Sequence, residues 1–278
     1  MGTAHSTESR KHTMTKVGLI GTGNMGKALA KGWCQDETFE MVGYDSSPKQ
    51  LQKVAEETGL EVSHSLEEVA QSSDYIVLAV KPQQMQDVVQ KIAPDLQKNQ
   101  CLISIAAGIQ RETLAQWSGH TCPVVRVMPN TPAMVGAGVF ALCYDDRKLS
   151  GEQKDFLQGI FRNLGQVQVM REEYFDAFTA LMGTGPAYVY YFMDSLIEAG
   201  VAIGFPREQS KDMIQALLEG SVQMAGQSGM SATELREMVT SPSGTSSAGM
   251  LELDRQGARS ALVEAVLAAC RRSRELGG

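Results

Sequence analysis

Short apolar runs alternate with amphipathic stretches through the first half of the chain. The runs predict β-strands, because continuous apolar segments bounded by turn residues are typical of strands buried on both faces. The stretches between them repeat their apolar residues at helical spacing and predict α-helices. The predicted strands are Lys16–Ile20, Glu40–Tyr44, Asp74–Ala79, Cys101–Ile105, Val124–Met128 and Gly136–Cys143. The predicted helices are Asn24–Gln35, Ser47–Thr58, Gln83–Ala93, Arg111–Trp117 and Ser150–Leu164. This alternation predicts a doubly wound α/β sheet of the Rossmann type.

The second half predicts helices only, from about residue 172 onward. These helices are Glu172–Leu181, Pro186–Ile203, Arg207–Gln227, Ala232–Val239, Thr245–Arg255 and Arg259–Leu276. We therefore predict a Rossmann domain over residues 14–165 and an all-helical domain over residues 166–278. A polar leader over residues 1–13 is expected to be disordered.

The most apolar segment of the helical half runs from Ala187 to Ile203. Asp194 and Glu198 interrupt it at helical spacing. A membrane span needs about 20 apolar residues with few charges. The segment therefore predicts a deeply buried helix, and no membrane partner is expected.

Charge and cysteine content exclude several classes of protein. The net charge is -7, so no basic excess is present to neutralise the phosphates of a nucleic acid. The leader has no apolar run of the kind found in secretory signals. The five cysteines are widely spaced and form no C-x-x-C pair, which predicts reduced, buried thiols, no metal site and a cytoplasmic location.

A glycine-rich hexapeptide (GTGNMG) follows the first predicted strand and opens the first predicted helix. It fits G-x-G-x-x-G, in which the first glycine makes the tight turn, the second admits the pyrophosphate of a dinucleotide, and the third allows close packing. The phosphates would then meet the free N–H groups at the helix start. The alternative is a glycine-rich turn without a ligand. The residues predicted to bind the cofactor here are Gly21, Thr22, Gly23, Asn24, Met25 and Gly26.

An acidic residue ends the second predicted strand. Asp45 lies 24 residues after the first glycine, close to the spacing of an acid that accepts from the ribose of NAD and repels the 2′-phosphate of NADP. Asp45 and Ser46 are therefore predicted to contact the cofactor, with a slight preference for NAD. Lys49 and Lys53 nearby keep NADP open, and an Asx turn before Pro48 is the alternative role for Asp45.

Other strand ends should meet at the same edge of the sheet, because ligands of open α/β folds bind at the carboxyl ends of the strands. Small residues there leave room for a flat ring. Lys81 could equally be a solvated strand end. The predicted cofactor-binding residues at this edge are Ala79, Val80, Lys81, Pro82, Ala106, Ala107, Gly108, Met128, Pro129 and Asn130.

Three further segments carry a family resemblance. They are residues 125–133 (VRVMPNTPA), 183–188 (GTGPAY) and 239–246 (VTSPSGTS). In this order after the glycine turn, they cover nearly all of residues 14–278, and the chain resembles the pyrroline-5-carboxylate reductases. The resemblance implies reduction of 1-pyrroline-5-carboxylate to L-proline with NAD(P)H. It also implies a Rossmann domain followed by a helical dimerisation domain, a homodimer that can assemble into rings of dimers, and an active site where the cofactor of one subunit faces helices of the dimer.

The last of these segments is predicted to hold the substrate. Hydroxyl side chains and exposed N–H groups at a helix start suit a carboxylate. Ser246 could hydrogen-bond the ring nitrogen, and Ser246 and Thr245 are the predicted catalytic residues. The predicted substrate-binding residues are Ser241, Ser243, Gly244, Thr245 and Ser246. A Ser/Thr-capped helix without a ligand is the alternative.

The chain departs from the family pattern at three places. Ser243 replaces a usual glycine, and a side chain there conflicts with a loop that needs positive φ. Ser246 replaces a usual threonine and keeps its hydroxyl. Ser46 stands where the family often has an arginine for NADPH.

Two other functions stay open from the sequence. The altered loop would fit a dinucleotide-binding regulator without catalysis, and the fold would fit an oxidoreductase of another small imino or keto acid. Lysine-dependent β-hydroxyacid dehydrogenase chemistry is not predicted, because residues 172–206 contain no lysine or arginine.

Overall fold

The fold is known from a computed structural model that describes residues 14–276. The leader predicted over residues 1–13 lies outside this described range. Within the range, eight strands form one sheet in the order β3-β2-β1-β4-β5-β6-β7-β8. The strands are β1 Thr15–Ile20, β2 Phe39–Tyr44, β3 Glu61–Val62, β4 Tyr75–Leu78, β5 Cys101–Ser104, β6 Val124–Met128, β7 Gly138–Cys143 and β8 Gly165–Val169.

Neighbouring strands from β3 to β6 are parallel, β7 runs antiparallel to β6, and β8 is again parallel to β7. Helices connect the strands, as parallel pairing requires. They are α1 Asn24–Trp33, α2 Pro48–Thr58, α3 Leu66–Ser72, α4 Pro82–Ile92, α5 Arg111–Trp117 and α6 Gly151–Arg162. The doubly wound Rossmann sheet predicted from the sequence is confirmed.

Two apolar clusters cover the two faces of the sheet. Val17 and Leu19 of β1 belong to one cluster, and Ile20 of the same strand belongs to the other. The split follows from the strand geometry, since successive side chains point to opposite faces. Trp33 anchors the first cluster, and its indole Nε1 donates to the carbonyl of Ile160 at 2.7 Å. Both faces of the central strands are therefore buried, as their continuous apolar sequence predicted.

The helical half contains α7 Phe175–Phe178, α8 Gly185–Ala202, α9 Arg207–Gln227, α10 Ala232–Met238, α11 Thr245–Arg255 and α12 Ala258–Leu276. The prediction of one continuous helix over Glu172–Leu181 was wrong. A 3₁₀ turn at Glu172–Tyr174 leads into α7, and a π-helical turn follows at Thr179–Gly183. Because the hydrogen-bond pattern changes from 3₁₀ to α-helical and then to π-helical, the segment does not form one regular α-helix.

The chain forms two compact units, and their division lies later than the domain boundary predicted near residue 165. Of the described residues, one unit comprises 14–179 and 273–276, and the other is Ala180–Arg272. The predicted boundary would separate β8 from its partner, yet Val139 of β7 pairs with Gln166 of β8. Strand β8 therefore belongs with the sheet.

Helix α8 corrects a second expectation, because most of its apolar side chains are not buried within one chain. Tyr191 is 78% exposed and Ile203, just after the helix, is 77% exposed. Val189 and Tyr190 are also exposed. A helix that is apolar on every side normally lies inside a core or an interface. The surface of α8 is therefore one that a single chain does not cover. None of the described helices combines the length and the apolar character needed to cross a bilayer.

Candidate functional site

The glycine-rich turn has the backbone geometry that its sequence predicts. Gly21 follows β1 with φ +101°, in the region that glycine adopts without strain. A Cβ at Gly21 would lie 2.7 Å from the carbonyl oxygen of Ala79. The Gly21 N–H donates to the carbonyl of Tyr44 at 2.8 Å, so the turn is fixed to the ends of β4 and β2.

The second and third glycines differ in their surroundings. A Cβ at Gly26, in the first turn of α1, would lie 2.0 Å from the carbonyl oxygen of Gly21. A Cβ at Gly23 would meet no atom within 4 Å. Gly26 is therefore required by packing of the helix on the turn, whereas Gly23 leaves open space through which a ligand can approach the backbone. The first N–H groups of α1 have no intrahelical acceptors and point towards that space.

A cavity of about 390 Å³ opens beside this turn at the carboxyl edge of the sheet. The predicted cofactor-binding residues that line it are Gly21, Gly23, Asp45, Ser46, Ala79, Val80 and Lys81. Its apolar wall is formed by Ile20, Leu66, Val80 and Val88. An apolar wall next to a helix N-terminus suits a molecule with a flat ring at one end and phosphates at the other.

Several residues of this cavity were not predicted from the sequence. Gln50 of α2 and Gln84 and Lys91 of α4 line it. Gln50 and Gln84 lie in the first turns of helices that start at predicted strand ends, which is a usable signal, whereas Lys91 lies in the last turn of α4. No motif singles out the particular side chains.

Asp45 does not extend freely into the cavity. Its Oδ2 atom accepts from the backbone N–H of Thr22 at 2.7 Å and from the Thr22 hydroxyl at 2.9 Å. Its Oδ1 atom accepts from the Ser47 N–H at 2.8 Å. The contact between Oδ1 and the Ser47 N–H forms the Asx turn that the sequence left open as an alternative. Both carboxylate oxygens are thus engaged with the protein.

A second cavity of about 390 Å³ in the same unit includes Gly108. Arg126 of β6, which is buried, contributes to it, and its Nη1 lies 2.8 Å from Oε1 of Glu172. The guanidinium also lies 4.8 Å from the ring centre of Phe175. The same carboxylate oxygen accepts from the Arg111 N–H at 2.6 Å. This buried arginine was not singled out from the sequence, because its ion pair joins residues far apart in the chain.

The remaining predicted residues of the cofactor edge lie at or just after the carboxyl ends of β5 and β6, which are neighbours in the sheet. Ala106 and Pro129 are buried, and Ala107 and Met128 are half-buried. The side-chain oxygen of Asn130 accepts from the Val139 N–H at 2.9 Å, which joins the end of β6 to β7. Thr22, Asn24 and Met25 belong to the glycine turn and the start of α1, and Pro82 is the first residue of α4.

The predicted substrate loop lies in the second unit and leads into α11. Gly244 is the N-cap residue of this helix, and its N–H donates to the carbonyl of Ser241 at 3.1 Å. Thr245 and Ser246 are exposed in the first turn. The loop therefore presents hydroxyls beside helix N–H groups that have no intrahelical acceptors.

Ser243 has φ +61° in this turn. It is the third residue of a four-residue turn, a position where positive φ favours glycine or asparagine. The Cβ of an L-residue is strained in this region, as the departure from the family pattern implied.

Replacing Ser243 with glycine is expected to raise the free energy of unfolding by about 0.5–1 kcal/mol, because relief of the left-handed strain exceeds the added entropy of the unfolded chain. The unfolding midpoint should rise by about 1–2 °C for a protein of this size. Urea and thermal unfolding measure the change. Ser241→Gly, at a position without positive φ, should lower stability, and an equal gain for both variants would contradict the strain argument.

The cysteines agree with a protein that does not use thiol chemistry. Cys101, Cys122 and Cys143 are buried. Burial raises the pKa of Cys122 and of Cys143 to about 11 and the pKa of Cys101 well above its usual value. Among the described residues, no group of three or more histidine, cysteine or acidic side chains is arranged to hold a metal ion.

Comparison with known proteins agrees with both halves of this architecture. A family model described as pyrroline-5-carboxylate reductase dimerisation matches residues 172–276, and one described as NADP oxidoreductase coenzyme F420-dependent matches residues 16–108. The pyrroline-5-carboxylate reductase of Pisum sativum is 37% identical over 263 residues, which cover 94% of this chain and 95% of that protein. The chain belongs to the pyrroline-5-carboxylate reductase family.

Other members of the reductase family extend the likeness. The Escherichia coli K12 enzyme is 34% identical over 264 residues, covering 94% of this chain and 98% of its own. The crystal structure of Plasmodium falciparum pyrroline carboxylate reductase with NADP bound is 35% identical, with a TM-score of 0.87 over 95% of this chain and 98% of that one. A 3-hydroxyisobutyrate dehydrogenase of Mycobacterium tuberculosis, at 14% identity and a TM-score of 0.51, shares the fold alone. The resemblance predicted from the sequence is confirmed.

Proposed function

We propose that this chain reduces 1-pyrroline-5-carboxylate to L-proline with NAD(P)H, the last step of proline biosynthesis. The observation that carries the proposal is the pairing of a glycine-rich dinucleotide turn with membership of the reductase family. Relatives named pyrroline-5-carboxylate reductase align over nearly the whole chain, in both units. Neither a regulator without catalysis nor an oxidoreductase of another substrate is favoured by these relatives.

The first unit fits the cofactor. The open space at Gly23, the N–H groups at the start of α1 and the apolar wall of the cavity match phosphates at one end and an adenine ring at the other. When bound, NAD(P)H supplies the hydride for the imine carbon. We infer that the predicted residues from Gly21 to Gly26 and at the strand ends hold it.

The loop before α11 fits the substrate. The helix N–H groups and the hydroxyls of Ser241, Ser243 and Thr245 can hold the substrate carboxylate. The Ser246 hydroxyl can accept a hydrogen bond from the protonated ring nitrogen. Because the imine can be bound already protonated, the chain needs no strong base, and the reduced ring keeps that proton on nitrogen.

A homodimer follows from the same family membership. The exposed apolar surface of α8 and a groove of about 1250 Å³ in the second unit support it, because the groove is lined mostly by apolar residues such as Phe192, Leu253 and Leu262. A second copy of this region would cover them. Rings of such dimers and a cytoplasmic location stay predictions.

Steady-state rates with 1-pyrroline-5-carboxylate test the proposal. Wild-type protein should oxidise NADH or NADPH only when this substrate is present. Ser246→Ala should lower kcat/KM about 10- to 100-fold, because a hydrogen bond to a charged group contributes about 1.5–3 kcal/mol. The control is Ser247→Ala, one position further round the same helix turn, which should stay within about twofold of wild type.

Two results would count against these assignments. Cofactor binding by folded protein without any substrate-dependent oxidation would favour the dinucleotide-binding regulator. An unchanged rate for Ser246→Ala would remove that hydroxyl from the catalytic site.

A further inference from the structure

Every polar atom of Thr22 is bound by residues that follow β2. Its N–H and hydroxyl donate to Oδ2 of Asp45 at 2.7 and 2.9 Å. Its carbonyl oxygen accepts from Nε2 of Gln50 at 2.9 Å. The Thr22 side chain is buried, with no exposed surface. Hydrogen bonds thus hold the N–H, the hydroxyl and the carbonyl of Thr22, the residue between the first two glycines.

This arrangement determines which N–H groups remain for a phosphate. The N–H of Thr22 donates to Asp45 and is therefore not free for a phosphate. The donors that face this space are those of the first turn of α1, which begins at Asn24. Asp45 therefore sets the path of the chain from the end of β1 into the phosphate-binding helix.

An acid at the end of β2 can act in a different way. When it selects NAD, its carboxylate accepts from the ribose hydroxyls and repels a 2′-phosphate. That role uses acceptor sites that remain free for the ribose, and an ionised carboxylate has about four of them in all. In this chain Oδ2 already accepts two hydrogen bonds and Oδ1 accepts one from the Ser47 N–H. Ser46, the next residue, is exposed at the cavity and carries no charge that would repel a phosphate.

We propose that Asp45 is a positioning residue that holds the glycine-rich turn through Thr22 and does not select between NADH and NADPH. The inference rests on the proposed function for the identity of the cofactor. It reverses the slight preference for NAD that the sequence predicts from Asp45.

The test compares dissociation constants for NADH and NADPH, measured by calorimetry well below the unfolding temperature. Asp45→Ala should weaken both cofactors about tenfold, because it removes three hydrogen bonds to a charged group. Asp45→Asn keeps an acceptor for Thr22 and loses the one for Ser47, so it should weaken both about threefold. The ratio of the two constants should stay within about threefold of wild type throughout.

A milder pair of variants covers the case in which Asp45→Ala does not fold. Thr22→Val removes only the hydroxyl donor at nearly constant volume and should weaken both cofactors about threefold. Thr22→Ser keeps that donor and should weaken both cofactors less than Thr22→Val does.

Two results would overturn the proposal. A change in the NADH to NADPH ratio of more than about threefold for an Asp45 variant would mean that the carboxylate selects the cofactor. Unchanged constants for both cofactors in Asp45→Ala and in Thr22→Val, whatever the loss of thermal stability, would reduce Asp45 to a purely structural role. Since binding is measured without 1-pyrroline-5-carboxylate, a wild-type protein that binds cofactor but fails to reduce this substrate would contradict the proposed function and still decide the role of Asp45.

Discussion

Replacing Gly26 with alanine is expected to abolish cofactor binding and to destabilise the Rossmann unit. The added Cβ would lie 2.0 Å from the carbonyl oxygen of Gly21, which is backbone and cannot rotate away. Either α1 moves off the sheet or the turn opens, and both displace the N–H groups that meet the phosphates. Overpacking of this kind destabilises by about 3 kcal/mol. The dissociation constant for NAD(P)H should rise more than about 100-fold, which is about 2.7 kcal/mol or more. Urea unfolding and calorimetric titration measure the two effects.

Gly23→Ala is the matched control on the same turn. Its Cβ would meet no atom within 4 Å, so the protein should fold with a loss of less than about 1 kcal/mol. Cofactor binding should still weaken, because the side chain occupies the space of the pyrophosphate. Wild-type affinity in Gly26→Ala, or equal destabilisation by both variants, would contradict the different roles assigned to the two glycines.

Replacing Tyr191 with glutamate is expected to convert the protein to a monomer with little activity. Tyr191 is 78% exposed on α8, among apolar neighbours that a single chain leaves uncovered. An unpaired carboxylate buried in the proposed dimer interface would lack hydrogen-bond partners, at a cost of several kcal/mol in each copy. Sedimentation velocity should show one chain where the wild type shows two or more. The rate of NAD(P)H oxidation with 1-pyrroline-5-carboxylate should fall more than about 50-fold, if only the assembled form is active.

Gln90→Glu introduces the same charge on the exposed surface of α4 in the Rossmann unit. It should leave both the assembly and the rate close to wild type, since isolated surface substitutions are usually within about 0.5 kcal/mol. A Tyr191→Glu protein that remains a dimer would exclude this part of α8 from the interface.

The sheet could be predicted from the sequence because its strands are buried on both faces and appear as continuous apolar runs. β8 was not predicted, because it is not a continuous apolar run; Gln166 and Gln168 alternate with Val167 and Val169 in the short pattern of a strand that is buried on one face. The sequence of α8 correctly predicted a helix with a largely apolar surface, and the prediction that this helix is deeply buried was wrong for the single chain. The sequence could not show that a single chain leaves this surface uncovered, because an internal core and an interface have the same composition.

The candidate site, like the fold, has features that the sequence predicts and features that it does not. The glycine turn was predictable because its glycines are needed for local reasons of backbone geometry. A Cβ at Gly21 or at Gly26 would clash with backbone atoms, as the motif predicts. The direction of the Asp45 carboxylate was not, because spacing places a side chain at a strand end without stating which donors reach it. Gln50 and Arg126 were missed for the same reason, as their partners Thr22 and Glu172 are distant in sequence.

The uncovered apolar surface of α8 also has a consequence for how much of the protein works at a given concentration. With a second copy covering this surface, the helical half gains its core only by association, and its apparent stability includes a mass-action term. Dilution would then separate the copies and loosen the half of the chain that carries the Ser241–Ser246 loop, while the Rossmann sheet keeps its own two cores. The concentration of the protein in the cell would then determine which fraction of it is assembled and able to turn over substrate, without any change in a catalytic residue.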